Sequence, residues 1–143
     1  MARLPLPHRF IVGLLALLLF SAGSASAALP KPEAKLLGFT NAARSDHGLK
    51  PLVRAARLRD IAEEQARVMA ANGLLEHSGV VPPRCSAWAE NVGLGPTLRS
   101  VHRAFMASPA HRANVLGPYG SVGLGVVKDG DTVWVAEVFC KTP

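Results

Sequence analysis

Apolar residues recur through the middle of the chain at the spacing of one helix face. Leu58, Ile61, Ala62, Gln65, Ala66, Met69 and Ala70 follow an i, i+3, i+4, i+7 pattern with a single polar member, Gln65. Gly73 lies just beyond, where a terminating residue is expected. Glu63, Glu64 and Arg67 fall on the opposite, solvated face. Leu36, Leu37 and Phe39 predict an earlier helix over 32–46, closed by Gly48. A third helix is predicted over 97–107, with Leu98, Val101 and Phe105 inward. Ser108-Pro109 predicts the start of a short fourth helix, because serine caps free N–H groups and proline fits the first helical position. Between the second and third helices, Ser78, Gly79, Pro82 and Pro83 mark a loop. "AENVGL" predicts a short strand or a helix-to-strand join. "SVGLGVV" and "TVWVAEVF" read as strands joined by a hairpin turn over 128–131 that contains Asp-Gly. Helices early and strands late predict an α+β domain with an antiparallel sheet.

The N-terminus follows a different logic. Arg3 and Arg9 precede an apolar run from Phe10 to Phe20, and Ala25-Ser26-Ala27 follows. A basic region, an apolar region and an A-x-A site predict a signal peptide over residues 1–27, cleaved before Ala28. The run falls short of the roughly 20 residues that a membrane-spanning helix needs. An uncleaved anchor is the alternative. Residues 28–143 then form one domain around one core, expected outside the cell or in its envelope.

The chain carries 16 Lys+Arg against 10 Asp+Glu, a formal net charge of +6. Lys50, Arg54, Arg57 and Arg59 cluster, but Leu52 and Leu58 interleave with them. That predicts a solvated helix face. Should the cluster bind anything, an acidic envelope polymer suits an exported chain better than nucleic acid. The chain has two cysteines, Cys85 and Cys140. Export predicts that they pair, with two free buried thiols as the alternative.

Three polar residues do not fit a core. His77 follows the second helix, Glu90 sits in the apolar "WAENVGL", and His111 opens the Ser-Pro helix. Each lies at the end of an element, where separate segments can converge. Glu90 needs a partner, because an unpaired buried charge is costly. Pairing with one or both histidines is the economical solution.

The blocks "TNAARSDHGLKPL", "LEHSG", "AENVG", "FMASPAHRANVL" and "VGLGVV…VWVAEVF" occur in the order and spacing of the CAP superfamily. The chain resembles its small secreted bacterial, SCP-like members over nearly all of residues 28–143. The resemblance implies a three-layer α-β-α sandwich with a central antiparallel sheet. It also implies a cleft lined by two histidines and two acids. His77 matches the first histidine, Glu90 the first acid and His111 the second histidine. Ser108 stands where the animal and plant branch has its second acid, and Glu137, in a strand position where many relatives have glutamine, is one candidate to replace part of the missing charge. Asn41, Arg44, Asn91 and Asn114 also match the family, in a structural, hydrogen-bonding role.

Three functions follow as expectations. The first is a non-enzymatic, monomeric extracellular module without stable membrane insertion, binding an apolar small molecule, a divalent metal or a protein partner. The second is a zinc site, since His77, His111 and Glu90 make a His₂Glu ligand set. It lacks the H-E-x-x-H spacing, and a metal-dependent hydrolase is its enzymatic form. The third is a hydrolase with Ser78 or Ser108 as nucleophile, which lacks a G-x-S-x-G elbow.

Overall fold

The computed structural model describes residues 31–143. The predicted signal peptide and its cleavage before Ala28 therefore lie outside the described residues. The helices are α1 (Lys31–Asp46), α2 (Ala56–Asn72), α3 (Leu98–Ala107) and α4 (Pro109–Val115). The strands are β1 (Val53–Arg54), β2 (Ala87–Gly95), β3 (Ser121–Asp129) and β4 (Thr132–Lys141). Among the described residues, no helix is long and apolar enough to cross a membrane.

The helix ends obey the local rules, with one correction. Gly73 closes α2 in the left-handed region at φ 63°, and its N–H donates to the Met69 carbonyl. Thr97 and Ser100 form a reciprocal capping box at the start of α3. Pro109 opens α4, but the Ser108 hydroxyl makes no capping bond there. Ser108 instead joins two helices through its backbone. Its N–H donates to the Ala104 and Phe105 carbonyls, and its carbonyl accepts from Arg112 N–H at 2.8 Å.

The sheet has the order β1-β3-β4-β2. The three long strands are antiparallel, with β4 in the centre. The sheet is mixed overall, because β1 pairs in parallel with the start of β3. Only two residues, both exposed, make β1, so no hydrophobic alternation announces it. β2 runs nine residues, longer than the short strand expected, and pairs with β4 along its whole length.

Strand alternation divides the core into two. Val133, Val135 and Phe139 of β4 face α1, α3 and α4, where Leu36, Val101, Phe105 and Val115 bury their side chains. Trp134, Ala136, Val138 and Cys140 face α2, against Leu58, Ala62, Ala66 and Met69. The result is the expected α-β-α sandwich. On the α2 side, Gly123 and Gly125 of β3 let the helix backbone rest directly on the strand. A Cβ at either would collide with the backbone of Leu58 or Ala62.

The disulfide is present. Cys85 is bonded to Cys140, with Cα atoms 5.4 Å apart and a sequence separation of 55. It ties the long loop between α2 and β2 to the last strand.

Candidate functional site

The loop after α2 carries His77 to the sheet, and a residue of α2 sets its path. Gln65 is the lone polar member of the apolar helix face and is 6% exposed. Its Nε2 donates to the Glu76 carbonyl at 2.6 Å. The next residue, His77, meets Glu90 of β2 with Nδ1 2.7 Å from Oε2. The same oxygen accepts the Ser78 N–H at 2.9 Å. An oxygen that already accepts a backbone N–H acts as acceptor toward the ring too. Nδ1 therefore carries the proton, and Nε2 is the ring's outward group. The Glu90 side chain is 3% exposed and that of His77 61%. A buried carboxylate thus holds an exposed imidazole. The other carboxylate oxygen, Oε1, is buried with no hydrogen-bond partner within the protein.

Beside this pair lies a cavity of about 390 Å³, lined by Ile61, Val68 and Val80 and by the polar Glu64, Gln65, Glu76, His77 and Ser78. Leu74, Leu75, Val80 and Val81 on the same loop expose large apolar side chains. The Ser78 hydroxyl accepts the Val80 N–H, and no hydrogen bond joins it to the His77 ring among the described residues.

His111 belongs to the other side of the sheet. Glu90 pairs across strands with Val138, which faces α2, whereas its neighbour Asn91 pairs with Glu137, which faces α1. Asn91 Nδ2 reaches the His111 carbonyl at 3.2 Å. The His111 ring packs on Phe105 with centroids 5.2 Å apart. No hydrogen bond connects that ring to Glu90 or His77 among the described residues. Nor, among those residues, does any group of three or more His, Cys, Asp or Glu side chains stand ready for a metal ion. Glu90 Oε2 is engaged by His77 and Ser78, which leaves Oε1 as its oxygen without a hydrogen-bond partner within the protein.

Glu137 is fully buried under α1 rather than at a cleft wall. Its Oε1 lies 2.8 Å from Thr40 Oγ1, and its Oε2 accepts from Asn91 Nδ2 at 3.2 Å. Burial pushes its carboxyl up to about 7, against the lowering effect of those two hydrogen bonds. Asn114 continues the network, donating to Asn91 Oδ1 at 2.9 Å and to the Glu90 carbonyl at 3.4 Å. The backbone of Glu90 thus touches this network while its side chain serves the opposite face.

The remaining polar residues hold loops. Asn41 exchanges two hydrogen bonds with the Leu52 backbone. Arg44 is 3% exposed and donates to four carbonyls: Lys50, Val115, Gly117 and Tyr119. Thr40 and Gln65 escaped sequence reasoning. A polar residue at an inward helical position was the available signal in Gln65.

This sandwich, with its loop-borne histidine held by a strand glutamate, defines a class of small α-β-α domains. A model of that class, the cysteine-rich secretory protein (CAP) family, matches residues 37–138, and the chain belongs to this family. It is 29% identical over 133 residues to the uncharacterized protein YkwD of Bacillus subtilis (strain 168), covering 82% of this chain and 51% of that one. The chain therefore spans about half the length of this curated relative. Its fold is similar to that of an outer surface protein from Borrelia burgdorferi, with a TM-score of 0.72, 19% identity and coverage of 82% and 97% of the two chains. It is also similar to a cysteine-rich secretory protein from Staphylococcus aureus Mu50, with a TM-score of 0.62, 24% identity and coverage of 76% and 38%.

Proposed function

We propose that this chain is a non-enzymatic extracellular binding module whose recognition point is the His77–Glu90 pair. The supporting observation is the pair itself: a buried carboxylate fixes an exposed imidazole through Nδ1, and among the described residues no hydroxyl is hydrogen-bonded to the ring. A fixed ring presents one hydrogen-bonding atom at small entropic cost. The exposed Leu74, Leu75, Val80 and Val81 beside the more polar cavity suit an amphipathic ligand, apolar in the part that meets this loop. Two relatives, one called an outer surface protein and one a secretory protein, support the extracellular setting.

Nile red, a neutral apolar dye, tests the reading when its fluorescence is followed beside the NMR signals of the histidine rings. The dye is expected to bind and to move the His77 resonances. Glu90→Gln, which exchanges a charge-assisted hydrogen bond for a neutral one, is expected to weaken binding roughly tenfold. Dye binding that leaves His77 unmoved would place the ligand surface elsewhere. Calorimetry with zinc is the counter-test. Stoichiometric zinc binding that disappears in the His77→Ala/His111→Ala double variant would replace this reading with a metal site.

A further inference from the structure

We propose that the outer face of α1 and α3 is a docking surface for a linear, phosphate-bearing polyanion. This surface is separate from the His77–Glu90 site and does not depend on the function read there. It rests on how charge divides between the two helical layers.

The basic cluster that stands out in sequence, around Arg54, Arg57 and Arg59, is largely engaged. Arg59 pairs with Asp60 and Glu63, Arg57 donates to the Pro83 carbonyl, and Arg67 pairs with Glu64. The α2 layer is therefore close to balanced. The opposite layer is not. α3 and α4 carry Arg99, Arg103 and Arg112 and no acidic residue. In α1, Glu33 is buried, and Asp46 sits at the far end of the helix.

Two cations of this layer, Lys35 and Arg99, meet at one aromatic ring, and a third, Arg103, follows on α3. The Lys35 ammonium lies 6.0 Å from the Phe39 centroid, and the Arg99 guanidinium lies 4.9 Å from it. Arg103 is one helical turn from Arg99 and makes no ion pair among the described residues. His102 packs on the same ring at 5.7 Å. Its Nδ1 is buried without a partner, and burial lowers its pKa, so it adds no strong positive charge. Like charges held this close without an acid repel one another. A string of anions relieves that repulsion and releases counterions in doing so.

The same face argues against a bilayer as the occupant. A membrane-docking helix face presents apolar side chains for insertion. The large exposed apolar residues lie on β1, on the loop before β2 and on β2 itself, and none lies on α1, α3 or α4. Phe39, the central ring, is only partly exposed and is covered by its cations. Such a surface meets charge without inserting, which suits a soluble polymer.

Long-chain inorganic polyphosphate is the probe, with the purified protein and fluorescence anisotropy at several salt concentrations. The affinity is expected to fall linearly with salt on a double-logarithmic plot. Each cation removed should weaken binding about fivefold, the scale for a Lys or Arg at an anionic surface. The triple variant Lys35→Gln/Arg99→Gln/Arg103→Gln should therefore lose about a hundredfold. Arg103 is exposed and makes no hydrogen bond or ion pair among the described residues, so the fivefold loss of Arg103→Gln can be read without concern for folding. Arg67→Gln on α2 lowers the net charge equally and should change binding less than twofold. An equal loss in Arg67→Gln would make net charge the cause and overturn the assignment. Binding that survives the triple variant, or no binding at low salt, would overturn it too. So would binding to vesicles of phosphatidylglycerol and phosphatidylcholine without binding to polyphosphate.

Discussion

The hydroxyl of Thr40 stands between two acceptors, 2.8 Å from Glu137 Oε1 and 3.1 Å from the Leu36 carbonyl. Its single proton satisfies only one of them. A neutral Glu137 resolves the count: its carboxyl O–H donates to Thr40, and Thr40 donates to Leu36. Full burial favours the same protonation state.

A pH dependence of stability follows. The folded pKa of Glu137, about 7, lies above its unfolded value of 4.5. The folded state therefore binds the extra proton. This contribution is fully present below about pH 4.5 and is lost as pH rises through about 7. On linkage grounds it amounts to on the order of 3 kcal/mol. Glu137→Gln keeps the shape, with its amide donating to Thr40 and its carbonyl accepting from Asn91. Thermal unfolding between pH 5 and pH 8 should show the variant gaining on the parent as pH rises. A parallel pair of Tm curves would exclude a neutral Glu137.

Arg44 yields a stability prediction without any acidic partner. Its buried guanidinium satisfies four carbonyls from two loops. Arg44→Met keeps the apolar stem and strands those acceptors. Unsatisfied buried polar groups cost about 1–3 kcal/mol each. Some of the carbonyls will reach solvent, so a total of about 3–5 kcal/mol is expected in urea denaturation. A loss under about 1 kcal/mol would mean that the loops hold themselves.

The Cys85–Cys140 bridge holds one end of the loop that carries His77. The other end has its own ties, from Gln65 to the Glu76 carbonyl and from Ser78 N–H to Glu90. Cys85→Ser/Cys140→Ser should lower stability by roughly 2–4 kcal/mol. Amide exchange should quicken over residues 80–86, while the His77 ring resonances stay in place. Movement of those resonances on losing the bridge would show that the disulfide positions the site.

Much of this was legible in the sequence, because it is governed by local physics. The spacing of Leu58 to Ala70 makes a helix whatever surrounds it, and Gly73 ends it through its own backbone freedom. The two-period runs after Gly120 make strands, and the chain's two cysteines pair with each other. Glu90 was marked out by a charge among apolar residues, and its partner His77 by the need to satisfy it. Tertiary structure decided the rest, because it depends on which face a residue meets across a long stretch of chain. Glu90 and Asn91 are adjacent and point to opposite sides of β2, so one binds His77 and the other Glu137. That alternation also ties the His111 backbone to Asn91, while the His111 ring packs on Phe105. Thr40 meets Glu137 across 97 residues and Arg44 meets Val115 across 71, separations at which no local pattern constrains pairing. The unbalanced basic layer likewise exists only once α1 and α3 lie side by side, since neither helix alone gathers Lys35 and Arg99 around Phe39.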